Sequence, residues 1–199
     1  MKSIASLTFT LLLTVTLFSC TQRRDSLPEL WADSLYRKAG DKISQATFDT
    51  LRNSLLDALS KHGAEGAIDL CHTSVISLTN QFADSVTVKR ASPRYRNVAN
   101  RPDSLELYIF KKMKTEIEAS GDVQPVVIRD EKNHLVHYFK PIRMQALCIN
   151  CHGQPQVDIQ PATLIAIREK YPDDQAFNFR EGELRGIWHI LFKPVSVRK

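Results

Sequence analysis

The stretch Gln124-Pro125-Val126-Val127-Ile128-Arg129-Asp130-Glu131-Lys132-Asn133-His134-Leu135-Val136-His137-Tyr138-Phe139-Lys140-Pro141-Ile142 decides the fold class. Two runs rich in β-branched and aromatic residues, 124–130 and 134–142, flank the polar triplet Glu131-Lys132-Asn133, the pattern of a β-hairpin. Upstream, the signals are helical. Phe48, Leu51, Leu55, Leu56 and Leu59 recur at helical spacing over 44–62, and Gly63 ends that element. A second helix over 64–83 puts Ile68, Cys71, Val75, Leu78 and Phe82 on one stripe, so Cys71 faces inward. Val86–Arg90 reads as a strand, and a polar, proline-bearing loop follows over 91–101. Pro102 opens a helix to Ser120, with Asp103 and Glu106 at its start and Gly121 past its end. Downstream of the hairpin, a helix is expected over 161–171, stopped by Pro172. A last hairpin is expected from Phe177–Phe179 and Leu184–Lys193. Helices first and strands later argue for an α+β domain with an antiparallel sheet rather than a four-helix bundle.

The first nineteen residues stand apart from this domain. Lys2 precedes an uncharged apolar run from Ile4 to Phe18, too short to span a bilayer comfortably and suited to a signal peptide. Leu17-Phe18-Ser19-Cys20 resembles a lipoprotein processing site, which makes Cys20 the lipidated first residue of the mature chain. Residues 1–19 are therefore expected to be a leader, 20–29 a polar tether, and 30–199 a single domain held on the periplasmic side of the inner or outer membrane. Without its leader the chain carries 26 basic and 22 acidic side chains. That mild, dispersed excess, with no basic tract interleaved with aromatics, excludes a nucleic-acid partner. Lys111, Lys112 and Lys114 read as a solvated helix face.

The remaining cysteines are Cys71, Cys148 and Cys151, an odd number for a disulfide-stabilised exported protein. Cys148-Ile149-Asn150-Cys151-His152 is the attachment signature of haem c. Thiols three positions apart on a helical turn sit roughly 5–6 Å apart at Cβ, which lets both reach the vinyl groups of one porphyrin. The adjacent His152 is then held over the iron as a ligand. Half of a zinc site would need a second pair of ligands, and Cys71 has only His72 beside it. A redox dithiol would not need His152 and would sit in a βαβ unit. Haem c, one per chain and covalent, is the expected cofactor. No nucleophile–base pair accompanies the motif, so a catalytic role is not expected.

Three segments extend the reading. Ala67-Ile68-Asp69-Leu70-Cys71 is the first. Arg90-x-Ser92-x-x-x-Arg96-Asn97-x-x-Asn100-x-Pro102-Asp103-x-x-Glu106 is the second. The third runs from Tyr138 and Pro141-Ile142 through Cys148-x-x-Cys151-His152-Gly153 to Gly182-Glu183-Leu184-Arg185-Gly186. In these, the chain resembles a family of exported bacterial single-haem proteins with a PAS-like fold and His/Cys iron ligation. Val98 and Trp188-His189 depart from the family pattern, away from the haem motif. The resemblance implies a five-stranded antiparallel sheet with helices around it, and it implies Cys71 as the iron ligand opposite His152. From the residues, Cys71 is the cysteine left over after the lipid and thioether assignments, on the apolar stripe of its helix; the competing account is a buried apolar thiol.

Arg90 and Arg96, with Asn97 and Asn100, are expected either to pair with the haem propionates or to fix the loop before Pro102. His72, His134, His137, His189, Met113 and Met144 are weaker candidates for iron, and Tyr138 and Trp188 read as packing aromatics. Two functions are expected in order. The first is electron transfer through a low-potential haem, with a redox partner protein in the periplasm or membrane. The alternative is redox or gas sensing through a separate partner protein.

Overall fold

The computed structural model describes residues 27–79 and 85–193, with side chains described at 33–64, 66–68 and 85–193. The expected leader, the expected lipidation site Cys20 and the side chains of Cys71 and His72 lie outside the described residues. Four strands, β1 (Val86–Ala91), β2 (Val126–Asp130), β3 (Leu135–Arg143) and β4 (Leu184–Phe192), form an antiparallel sheet in the order β1-β4-β3-β2. Around it lie α1 (Leu27–Thr79), α2 (Ser104–Ser120), α3 (Ala146–His152) and α4 (Pro161–Lys170), with a short 3-10 turn at Val98–Asn100. This is an α+β, PAS-like architecture. Among the described residues no helix is long and apolar enough to cross a membrane.

Local chemistry places the elements. Asp103 caps α2, its carboxylate accepting from the Glu106 amide at 2.8 Å while the Glu106 carboxylate accepts from the Asp103 amide at 2.8 Å. This reciprocal capping satisfies two amides that the helix leaves orphaned. Gly121 ends α2 in the left-handed conformation. In the β2–β3 turn, Asp130 accepts from both the amide and the side chain of Asn133. Gly63, at φ 65° and ψ −163°, breaks α1 into two helices, as its position in the sequence foretold. The helix begins at Leu27, inside the stretch expected as a tether.

The sheet is covered on both faces. Because side chains alternate along a strand, Ile187, Ala91 and Phe139 pack with Ile109 and Met113 of α2. Val88, Tyr138, Trp188 and Ile190 face the other way and pack with Ile43, Phe48 and Leu51 of α1. The second half of α1 meets α4, where Ile68 packs with Ile159, Leu164, Ile167 and Tyr171.

Among the described residues the sheet has four strands where five are expected, and residues 177–179 do not form a strand. Their backbone is committed elsewhere. The amides of Asn178 and Phe179 donate to the carbonyls of Gly153 and His152 at 2.8 and 2.9 Å, satisfying groups at the end of α3, and Asn178 has a positive φ of 57°. A segment so engaged has no free edge for a ladder.

Candidate functional site

Strand β3 ends in a register irregularity at Ile142/Arg143, and after Met144 and Gln145 the chain enters α3. Seven residues suffice to bring Cys148, Cys151 and His152 to the wall of one cavity of about 410 Å³. The facing walls are both halves of α1, from Phe48 to Ile68, and the α1-side face of the sheet at Arg90, Ile142, Gly186 and Trp188. Cys148 and Cys151 are partly accessible and form no disulfide among the described residues. A Cβ at Gly153 would fall 2.6 Å from the Asp158 side chain and 2.7 Å from Ile149, so only glycine fits the turn that follows His152.

His152 is oriented by its surroundings. Its Nδ1 donates to the Ala176 carbonyl at 2.9 Å, and its ring stands edge-on to Phe179. Burial, then the Arg96 and Arg185 guanidinium groups, hold its pKa well below the ordinary imidazole value. The imidazole is thus neutral, with the proton on Nδ1 and the lone pair on Nε2, the form a metal ion binds.

Arginines surround this end of the cavity. Arg96 bonds Asp174 through Nε at 2.8 Å and donates through Nη2 to the Cys151 carbonyl at 2.6 Å. It is a clamp between α3 and the loop carrying Ala176, whose amide donates to Asp174 at 2.7 Å. Arg90 lines the cavity over the Trp188 ring. Asn97 and Asn100 fix the loop: Asn97 Oδ1 accepts from the Ala99 amide and the Asn100 carbonyl accepts from the Ser92 amide.

Arg185, quoted in the third segment of the sequence with no role assigned to it, also lines the cavity. Burial, then Arg96 and Arg90, lower its pKa to about 9. The signal available was a lone charge at the head of the otherwise apolar strand 184–192.

Of the weaker candidates, Met144 lines the cavity and Met113 lies in the core under α2. His134 is exposed in the hairpin turn. His137 and His189 lie on the α2 face of the sheet. There His137 Nδ1 is 2.9 Å from His189 Nε2, His189 Nδ1 is 2.8 Å from Glu106, and Lys89 Nζ is 2.6 Å from Glu106. Burial would raise the pKa of Glu106, but the bonds from His189, Lys89 and the Asp103 amide outweigh it and hold the carboxyl at about 2.

The expected His/Cys iron ligation is corrected here. Among the described residues, the side chains that converge closely enough to hold a metal ion are Asp103, Glu106 and His189, whose ligand atoms all lie within 4.8 Å of one another. His152 belongs to no such group among the described residues, and the side chain of Cys71 lies outside them. Strand alternation and helix capping explain the grouping: His189 points to the α2 side, where the capping carboxylates of α2 meet it. This is a potential metal-binding group of carboxylate and imidazole donors.

The fold and this cavity define a PAS-like α+β domain built to enclose a ligand between a kinked helix and a sheet. The chain belongs to the Tll0287-like family, whose pattern matches residues 22–192. It is similar in fold to the crystal structure of the cyanobacterial heme-protein Tll0287, with a TM-score of 0.52 and 24% identity over 78% of this chain and 95% of that one. No curated protein matches the chain.

Proposed function

We propose that this chain is a haem c-binding domain that senses redox state or a small gaseous ligand and acts through a separate partner protein. The observation that carries this reading is the convergence of Cys148, Cys151 and His152 on one cavity, with His152 Nδ1 pinned by the Ala176 carbonyl. The residues present fit the group. Two thiols outside any disulfide, one helical turn apart, line the same space, a neutral imidazole turns its lone-pair nitrogen away from the backbone, and the walls combine apolar side chains with arginines. Haem bound there supplies an iron that changes oxidation state and accepts small ligands.

The thiols would hold the macrocycle, His152 would ligate the iron, Trp188 and Leu51 would pack against it, and Arg90 would face its carboxylates. Arg96 keeps α3 and the Ala176 carbonyl in register, which fixes the orientation of His152. Support for a sensing role comes from the PAS-like fold and from the likeness to a protein described as a heme-protein. The reading includes export, a lipid anchor on Cys20 and a position on the periplasmic side of a membrane, as the first twenty residues suggest.

The test begins with protein matured alongside the c-type assembly machinery. Its colour is expected to survive denaturing electrophoresis, and Cys148→Ala with Cys151→Ala is expected to abolish the covalent stain; haem that extracts freely from the wild type overturns the attachment. Carbon monoxide or nitric oxide is then expected to bind the reduced protein and change its association with a partner. Rapid electron exchange with that partner, with no ligand binding, would replace sensing by electron carriage.

A further inference from the structure

We propose that Arg185 is a carboxylate-binding residue of the cavity and holds a haem propionate through its Nε–Nη2 edge. The inference rests on the haem reading above and adds the residue that recognises the cofactor's acidic end.

The arginines at this end differ in how much bonding capacity they have left. Arg96 is committed, its Nε to Asp174 and its Nη2 to the Cys151 carbonyl. Arg94 lies over Phe179, with Cζ 3.7 Å from the ring centre. Arg185 spends Nη1 alone, on the Ser92 hydroxyl and the Arg94 carbonyl, both at 2.9 Å.

Those two bonds and the nearby Phe179 ring, 5.1 Å away, hold the guanidinium in place. Its Nε–Nη2 edge makes no hydrogen bond among the described residues, and Arg185 lines the cavity and keeps part of its surface accessible. That edge offers two parallel N–H groups, the geometry that a carboxylate accepts bidentately.

Charge argues the same way. Arg90 of β1, Arg94 and Arg96 of the following loop, and neutral His152 of α3 surround Arg185. Asp174, the acid acting on it, is already paired with Arg96. A cation enclosed among cations is stabilised when an anion enters. The cavity wall that carries the thiols also carries this fork, so one planar ligand with a reactive edge and an acidic edge satisfies both.

The test uses the holoprotein as wild type, Arg185→Gln and Arg185→Lys. In the wild type and in R185K, a nearby cation keeps the propionate ionised, and the midpoint potential is expected to be flat between about pH 5 and pH 8. In R185Q the propionate pKa is expected to rise into that window. The potential then becomes pH-dependent there and falls below the wild-type value at its alkaline end, because a lost cation favours the ferric state. R185Q with covalent haem and an unchanged potential and pH profile overturns the proposal.

If R185Q does not accumulate, redox-difference infrared spectra of wild-type holoprotein carrying 13C-labelled propionates decide. Ionised carboxylate bands down to about pH 5 are expected, and a protonated-acid band above that pH overturns the assignment. Titration with acetate separates the cofactor's carboxylate from a free one. No spectral change is expected, and a saturable change abolished in R185Q would assign the fork to an exogenous carboxylate instead. Wild-type protein without covalent haem refutes the functional reading itself, which distinguishes that failure from failure of the Arg185 assignment.

Discussion

Gly40 of α1 gives the ring of Tyr138 its seat. A Cβ there would lie 2.3 Å from Tyr138 Cγ, and the ring has no room to retreat, being fully buried and bonded through its hydroxyl to Asp41 at 2.6 Å. Alanine would gain about 1 kcal/mol in helix propensity, whereas forcing a methyl into a packed core costs about 1–3 kcal/mol or more. Overlap this severe puts the cost at the upper end, so Gly40→Ala is expected to destabilise the domain by about 2 kcal/mol in urea unfolding; equal or greater stability would show that the helix can shift. At this scale the sequence is legible where the chemistry is local. Cys148, Cys151 and His152 are covalent neighbours, so their spacing reveals them. Arg185 draws its significance from Ser92, Arg94 and Phe179, residues that only the fold brings to it, and nothing in 184–186 alone announces them.

Among the elements, α1 depends on one residue for its shape. Gly63 occupies a conformation that side-chain-bearing residues avoid, yet a Cβ placed on it meets nothing within 4 Å. The cost of Gly63→Ala is therefore one of backbone strain, about 1–3 kcal/mol. The substitution is expected either to lower the unfolding midpoint accordingly or to straighten α1 and open the cavity, seen as a shifted absorption spectrum of the holoprotein; a variant unchanged in both respects would show that the kink is free to form elsewhere. Helix boundaries were readable because Asp103, Glu106, Gly63 and Gly121 act within a turn of the ends they define. Residues 177–179 were misread as a strand because alternating aromatic residues look the same when their amides cap α3 as when they join a ladder.

For the molecule as a whole, Glu106 links stability to pH. Its carboxyl, ordinarily near 4.5, titrates at about 2 in the fold. A depressed carboxylate pKa contributes stability that is fully present above the unfolded value and is lost as pH falls through the folded one. The window is therefore about 4.5 down to about 2, with a contribution on the order of 2 kcal/mol. In urea unfolding across that range, the stability gap between wild type and Glu106→Gln is expected to narrow as the solution becomes more acid. A constant gap would mean that the His189–Glu106–Lys89 group contributes by packing instead of charge. The α+β class was legible at this scale because it follows from the order of helices and strands. The two-faced arrangement was not, since Arg90 beside Lys89 and Trp188 beside His189 read as mere neighbours until the sheet assigns them to opposite sides.

That arrangement makes β1 and β4 check their own pairing. Val88, Arg90, Trp188 and Ile190 look toward α1, while Lys89, Ala91, Ile187 and His189 look toward α2. A slip of one residue inverts every side chain on the strand that slips. Slipped β4 would push Trp188 in among Lys89 and Glu106, remove the imidazole from a buried carboxylate, and set His189 against the arginines of the cavity. Each error would expose the other, because the two sides fail together, so the domain carries a built-in proofreader for its own assembly.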